Sequence, residues 1–358
     1  MNNNDFNFNT NGNAAPAADY STDKKAFSVV GFALFAAFAL QIGLSFLQPW
    51  LLEKCLPELR NNPYVYWATY VVVMYVISFP AAFLLLKLAP RFEGTGPRPN
   101  NRLTLPALLL FFVLTYPMTY LGNSVGTFIN SIIAAFTGRV SAVDVNELIG
   151  RGPLWLSFLM VVVLAPIMEE LLFRRALMDA MRPWGDLAAI LVSGLSFGLF
   201  HANLQQFCYA ALIGMLFGYV YAKTGRIRYT IILHVAVNLF SGFIPSLILS
   251  KGLDLDKIMS MAERLEMIAE PEELNALAAE LIPMVPGMLL LCTQLLLNFG
   301  FVIAGTVLFF TFRRKITFTR GSRALERSAI GDTVFLAPGI ILFIFSTIAF
   351  MIYAVVVG

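Results

Sequence analysis

Apolar residues run along this chain in long blocks, separated by short polar clusters. A helix needs about 20 mainly apolar residues to cross a bilayer. The blocks near 27–50, 64–88, 103–122, 153–173, 187–201, 204–222, 229–249, 284–312 and 333–357 predict nine spans, the fifth short and the eighth long. Residues 123–140 are only moderately apolar with polar positions interleaved, and read as an interfacial or re-entrant piece. Residues 1–25 are polar and rich in Asn, Ala and Asp, which predicts a disordered tail. The first apolar block is too long for a signal-peptide core and lacks a clear cleavage site after it.

Composition sharpens this picture. Of 358 residues, 58% are hydrophobic and 13% charged, and mean hydropathy is +0.74. Soluble domains carry about 25% charged residues. A soluble enzyme, a nucleic-acid binder and a secreted disulfide scaffold are therefore poor readings. The net charge of +3 recruits no polyanion, and Cys55, Cys208 and Cys292 form no CxxC pair or disulfide pattern. The chain reads as an all-α polytopic transmembrane bundle.

Charge orients the bundle, because Lys and Arg favour short cytoplasmic loops. With the N-terminus inside, 18 of the 25 basic residues fall on the cytoplasmic side. The large loop 250–283 falls outside and carries eight acidic residues between Asp254 and Glu280. Gly194 and Gly198, and Gly214 and Gly218, give small-xxx-small faces for close helix packing.

Ionisable residues within spans are costly and mark function by default. Here they concentrate in three places. The fourth span ends APIMEELLFRR, placing Glu169, Glu170, Arg174 and Arg175 near its cytoplasmic end. The fifth ends SFGLFHAN, with His201 one turn after Phe197, and the seventh holds His234 and Asn238 one turn apart. Those are the only two histidines in the chain. Each feature has a plain structural alternative: Glu170 and Arg174 can pair at i,i+4, and His201 or His234–Asn238 can serve as packing hydrogen bonds. Glu169 has no cation at i±3 or i±4 and needs a partner from another helix or a water-filled cavity. Together the set predicts a polar cavity inside lipid.

A buried carboxylate flanked by imidazole can deprotonate water. An imidazole with an amide one turn on can hydrogen-bond the oxyanion of a tetrahedral intermediate. Ser193, Ser196 and Cys208 lack a nucleophile context, which favours direct attack by water. The zinc-protease signature HExxH is absent, so no metal is expected. A zinc ion held by Glu169, His201 and His234 is the disfavoured alternative.

The motifs Glu169-Glu170-x-x-x-Arg174, Phe197-x-x-x-His201 and His234-x-x-x-Asn238, in this order on separate helices, resemble the CPBP intramembrane proteases. That family includes type II CAAX prenyl endopeptidases and bacteriocin-processing or self-immunity proteins. The resemblance implies Glu169 as general base assisted by His201, and His234 with Asn238 as the oxyanion pair. Glu170, Arg174 and Phe197 are implied to support them, with both histidines as neutral imidazoles. It also implies a membrane-proximal peptide or protein substrate. The expected organisation is a tail (1–25), N-terminal helices (26–149), a CAAX-protease-like core (150–250), an acidic extracytoplasmic loop (251–283) and C-terminal helices (284–358). The expected function is hydrolysis of a peptide bond at the cytoplasmic membrane face, in a bacterial cell membrane with the N-terminus cytoplasmic. A non-proteolytic scaffold or immunity protein, or a proton-coupled transporter, are the alternatives.

Overall fold

The structure is a computed structural model that describes residues 19–90, 92, 99–139, 152–249, 253, 255–265 and 271–357. Expectations for residues 1–18 and 140–150, and for Asp254, Glu266 and Glu270 of the acidic loop, lie outside these. Among the described residues the protein is helical, without a named strand. It is a polytopic helical membrane protein: eight helices are long and apolar enough to cross a bilayer. They are α1 (Ser21–Cys55), α2 (Pro63–Leu86), α3 (Leu105–Thr137), α4 (Leu154–Trp184), α6 (Leu204–Thr224), α7 (Ile227–Leu247), α10 (Val285–Phe312) and α11 (Pro338–Val357). Between α4 and α6 lies the shorter α5 (Asp186–Phe200), the short fifth span expected from the sequence.

Three sequence expectations need correction. The polar tail was expected to reach residue 25, yet α1 starts at Ser21. Asp23 is fully buried there, because the indole of Trp184 donates to it at 2.8 Å and Arg323 pairs with it. The pieces 103–122 and 123–140 form one helix, α3, through Thr137. Gly122 and Gly126 seat its second half against the backbones of Tyr209 and Gln205, with Asn130 buried on the same side while Asn123, Ser124, Thr127 and Ser131 stay exposed. The fourth span, drawn to end at 173, continues through Met181 into a 3-10 turn at Trp184. The loop 250–283 contains two helices, α8 (Leu255–Leu265) and α9 (Pro271–Leu281). Their apolar residues, Met261 and Leu277 among them, line a shared cavity of about 280 Å³.

Proline shapes three of the spans. Pro80, Pro166 and Pro245 each follow a widened, π-type stretch, at 72–78, 158–164 and 238–243. Proline lacks an N–H and crowds the carbonyl four residues back. Widening the preceding turn relieves the clash and frees carbonyls, a device often found at functional sites. Side chains answer the freed groups: Ser78 donates to the Val73 carbonyl at 2.6 Å, and Asn238 to the Val161 carbonyl at 2.9 Å.

The small-residue faces pack as the spacing predicts. A side chain at Gly194 would strike Met215, one at Gly198 the Phe207 carbonyl, and one at Gly214 the backbone of Gly194. The α5–α6 hairpin is thereby held backbone to backbone. The loops rich in Lys and Arg meet at one end of the bundle. Asp186 at the start of α5 takes Lys223 at 2.7 Å and the Thr319 amide at 2.8 Å, while Arg226 reaches Asn100 at 2.9 Å.

Candidate active site

All three motifs converge between α4, α5 and α7. Glu169 stands fifteen residues from either end of α4, in the middle of the helix rather than near its end as expected. The extra turns through Trp184 account for the difference. Glu170 is fully buried: Arg174 Nε donates to its Oε2 at 3.0 Å, and His234 Nδ1 lies 3.0 Å from its Oε1. Arg174, also fully buried, donates to the Ser193 hydroxyl, and Ser193 donates to the Phe173 carbonyl at 2.8 Å. One chain of polar contacts therefore runs from α5 through the arginine and Glu170 to His234. A buried ion pair is costly unless further hydrogen bonds meet its remaining valences; the Ser193 bond meets one, while Arg174 Nη2 has no hydrogen-bond partner among the described residues.

Glu169 differs from its neighbour. Its side chain keeps 19% exposure, and its partner is the other ring nitrogen of His234, Nε2, at 3.6 Å. That is an ion-pair distance, too long for a hydrogen bond. His234 thus stands between the two carboxylates. The phenols of Tyr70, Tyr75 and Tyr209 also lie within electrostatic range of Glu169.

His201 caps α5 and donates Nδ1–H to the Phe197 carbonyl at 2.8 Å. A carbonyl oxygen only accepts, so Nδ1 carries a proton and Nε2 is the ring nitrogen left for other partners. Phe197 presents its ring edge-on to His201 (4.9 Å) and to His234 (5.6 Å), with the Arg174 guanidinium 5.4 Å from its centroid. It is the wedge that sets both imidazoles. Directly after His201, Ala202 has φ of 55°, the one positive value outside glycine among the described residues. Strain of this type is retained where surrounding structure demands a particular path. Asn238 spends one amide N–H on the Val161 carbonyl and is itself partly exposed.

The sequence reading picked out Glu169, Glu170, Arg174, Phe197, His201, His234 and Asn238. It set aside Ser193 for lacking a nucleophile context, and it is as the acceptor for Arg174 that Ser193 matters. Its place one turn before Phe197 was the available signal.

Comparison with known proteins falls on the same stretch. Residues 151–240 match the family described as type II CAAX prenyl endopeptidase, Rce1-like. The resemblance read from the three motifs holds there, since all of them lie within the match. The chain is also 25% identical over 215 residues to the Bacillus subtilis protein named "Putative membrane peptidase YdiL", covering 49% of this chain and 86% of that one. It is 22% identical over 160 residues to "UPF0177 protein YxdF" of Lactococcus lactis subsp. lactis, covering 38% and 89%. No solved structure matches the chain.

Proposed function

We propose that the protein is an intramembrane endopeptidase that hydrolyses a peptide bond with water activated by Glu169. The observation that carries this reading is the placement of His234 between two unlike carboxylates. Glu170 is saturated by Arg174 and His234 and serves to orient. Glu169, partly exposed and without a hydrogen bond from His234, is free to hold and deprotonate water. His201, with Nε2 unpaired, assists as a second acceptor for the water's protons.

The oxyanion falls to His234 and Asn238. A neutral His234 has one N–H, and Glu170 takes it. Donation to an oxyanion therefore requires the imidazolium, flanked by Glu169 and Glu170 as counter-charges. Asn238 contributes its second amide N–H. The family match and the YdiL name support a peptidase; attack by water without a covalent intermediate rests on the site alone.

Metal independence belongs to the same proposal. Among the described residues no group of three or more His, Cys, Asp or Glu is arranged to hold a metal ion. Purified protein is expected to contain no stoichiometric zinc and to keep its activity under a tight chelator. Equimolar zinc, lost together with activity and restored with it, would make Glu169, His201 and His234 ligands instead. The hydrolytic reading is tested by comparing membrane peptides from cells carrying wild type or Glu169→Gln. A cleavage product lost in the variant supports it, and identical peptide sets favour a scaffold or immunity role.

A further inference from the structure

Helix α10 lies outside the matched stretch 151–240 and carries two side-chain amides on a surface made for lipid. Most of it is apolar and exposed, Leu289, Leu290, Leu296, Phe299 and Ile303 among these residues. Its Thr293, Thr306 and Thr311 spend their hydroxyls on carbonyls of the same helix. Gln294 and Asn298 stand one turn apart and are only partly exposed. An amide facing hydrocarbon is costly without partners, and in membrane helices such groups join one helix to another.

Gln294 makes that join beside the candidate active site. Its Nε2 carries two hydrogens. One goes to the Phe240 carbonyl of α7 at 3.1 Å and the other to Asn298 Oδ1 at 3.0 Å. Phe240 belongs to the widened stretch 238–243, whose first residue is Asn238. Asn238 donates in turn to the Val161 carbonyl, inside the widened stretch 158–164 of α4. Two side-chain amides thus tie α10 to α7 and α7 to α4, each on a carbonyl of a π-type turn. Such turns are rare and frequently sit at functional sites. Packing delivers Gln294 to its acceptor. The Phe301 ring centroid lies 4.8 Å from that of Tyr116 and 6.1 Å from that of Phe112, and Phe112 lies 5.9 Å from Phe240. A side chain at Gly305 would strike the Val113 carbonyl of α3, which fixes the depth of α10.

We propose that Gln294, oriented by Asn298, is a positioning residue for the peptidase reaction: it holds the turn that begins at Asn238 and so aims the second Asn238 N–H at the oxyanion. This role rests on the proposed hydrolysis and on Asn238 as an oxyanion donor. It extends both, because residues 151–240 then do not complete the site alone. A helix outside the family match secures one of its donors.

The test is a double-mutant cycle on full-length protein in lipid nanodiscs. Its substrate is a synthetic peptide spanning a cleavage site that wild type cuts and Glu169→Gln does not. Asn238→Ala is expected to lower kcat about 10²- to 10³-fold, the usual cost of one oxyanion donor. Gln294→Leu keeps a side chain of similar size that suits lipid. It is expected to lower kcat about 10-fold with KM nearly unchanged, within the roughly 10²-fold that a misplacement of about 1 Å can cost. Asn298→Leu, which removes only the brace, should lower kcat about 2- to 5-fold by the same route. The decisive measurement is Gln294→Leu in the Asn238→Ala background. There kcat is expected to change less than about 2-fold, because residues that act as a unit are not additive. A merely structural loss would repeat in that background. Equal losses in both backgrounds overturn the proposal, as does a rise in KM at constant kcat or no loss at all. If Gln294→Leu does not fold, the cycle is read on Asn298→Leu by the same criteria. Failure of the hydrolytic reading shows differently: no peptide is then cut by wild type and spared by Glu169→Gln, and the role of Gln294 falls with it.

Discussion

Two adjacent glutamates in this chain occupy environments different enough to be separated by experiment. Glu170 has no exposure and is hydrogen-bonded to Arg174 and His234, whereas Glu169 is partly exposed and meets only His234, at the longer ion-pair distance of 3.6 Å. Removing one partner of a buried pair leaves the other charge uncompensated, at about 3–5 kcal/mol. Glu170→Gln is therefore expected to lower the unfolding temperature in detergent markedly. Glu169→Gln should leave that temperature nearly unchanged while slowing turnover roughly 10²- to 10⁴-fold, the usual contribution of a general base. The opposite pattern in the two thermal scans would reverse their roles. Ser193→Ala belongs with Glu170. It strips Nη1 of the buried guanidinium of its acceptor and should destabilise by about 1–3 kcal/mol, while Ser193→Thr, which keeps a hydroxyl, should recover part of that loss.

At the scale of helices, glycine position decides the sign of a substitution. Alanine normally favours a helix over glycine by about 1 kcal/mol. At Gly43 of α1 an added methyl meets nothing within 4 Å, so Gly43→Ala is expected to be neutral or stabilising. At Gly198 the same methyl would lie 2.7 Å from the Phe207 carbonyl and 2.9 Å from the Ala211 side chain. Gly198→Ala should thus destabilise by about 1–3 kcal/mol through overpacking, read as a lower unfolding temperature beside the Gly43→Ala control. This pairing was legible in the sequence, because four-residue spacing of small residues carries its own geometric meaning. The three motif sets were legible too, since charge inside an apolar block stands out. What the blocks could not show was helix length. Hydropathy falls at Arg174 and Asn123, yet both helices continue, because Arg174 is neutralised by Glu170 and Asn123 by Gln205. A polar residue satisfied by a neighbour looks the same in sequence as one that ends a span.

Across the whole molecule, the basic end is closed by contacts between residues some 300 positions apart. Asp23 of α1 receives Arg323 from the segment between α10 and α11, and also the Trp184 indole from the end of α4. Above it, Gly31 and Gly339 bring α1 and α11 to backbone contact. Charge bias foresaw that these loops share one side, and the structure brings them to one end. It gave no warning of Asp23, which reads as part of a polar tail because its partners are so remote in the chain. The exposed neighbour pair Lys24–Asp332, at 2.9 Å, provides a built-in comparison, for Asp332 is 70% exposed while Asp23 is buried. Exposed pairs contribute about 0–1 kcal/mol, whereas charge-assisted bonds to a buried carboxylate contribute about 1.5–3 kcal/mol. A double-mutant cycle on Asp23→Ala and Arg323→Ala, followed by equilibrium unfolding in mixed micelles, should therefore show coupling in that higher range. The cycle on Lys24→Ala and Asp332→Ala should show little. Equal coupling in both cycles would mean that the buried aspartate is held by packing around Trp184 rather than by its charge, and that α1 is not fastened to the C-terminal helices electrostatically.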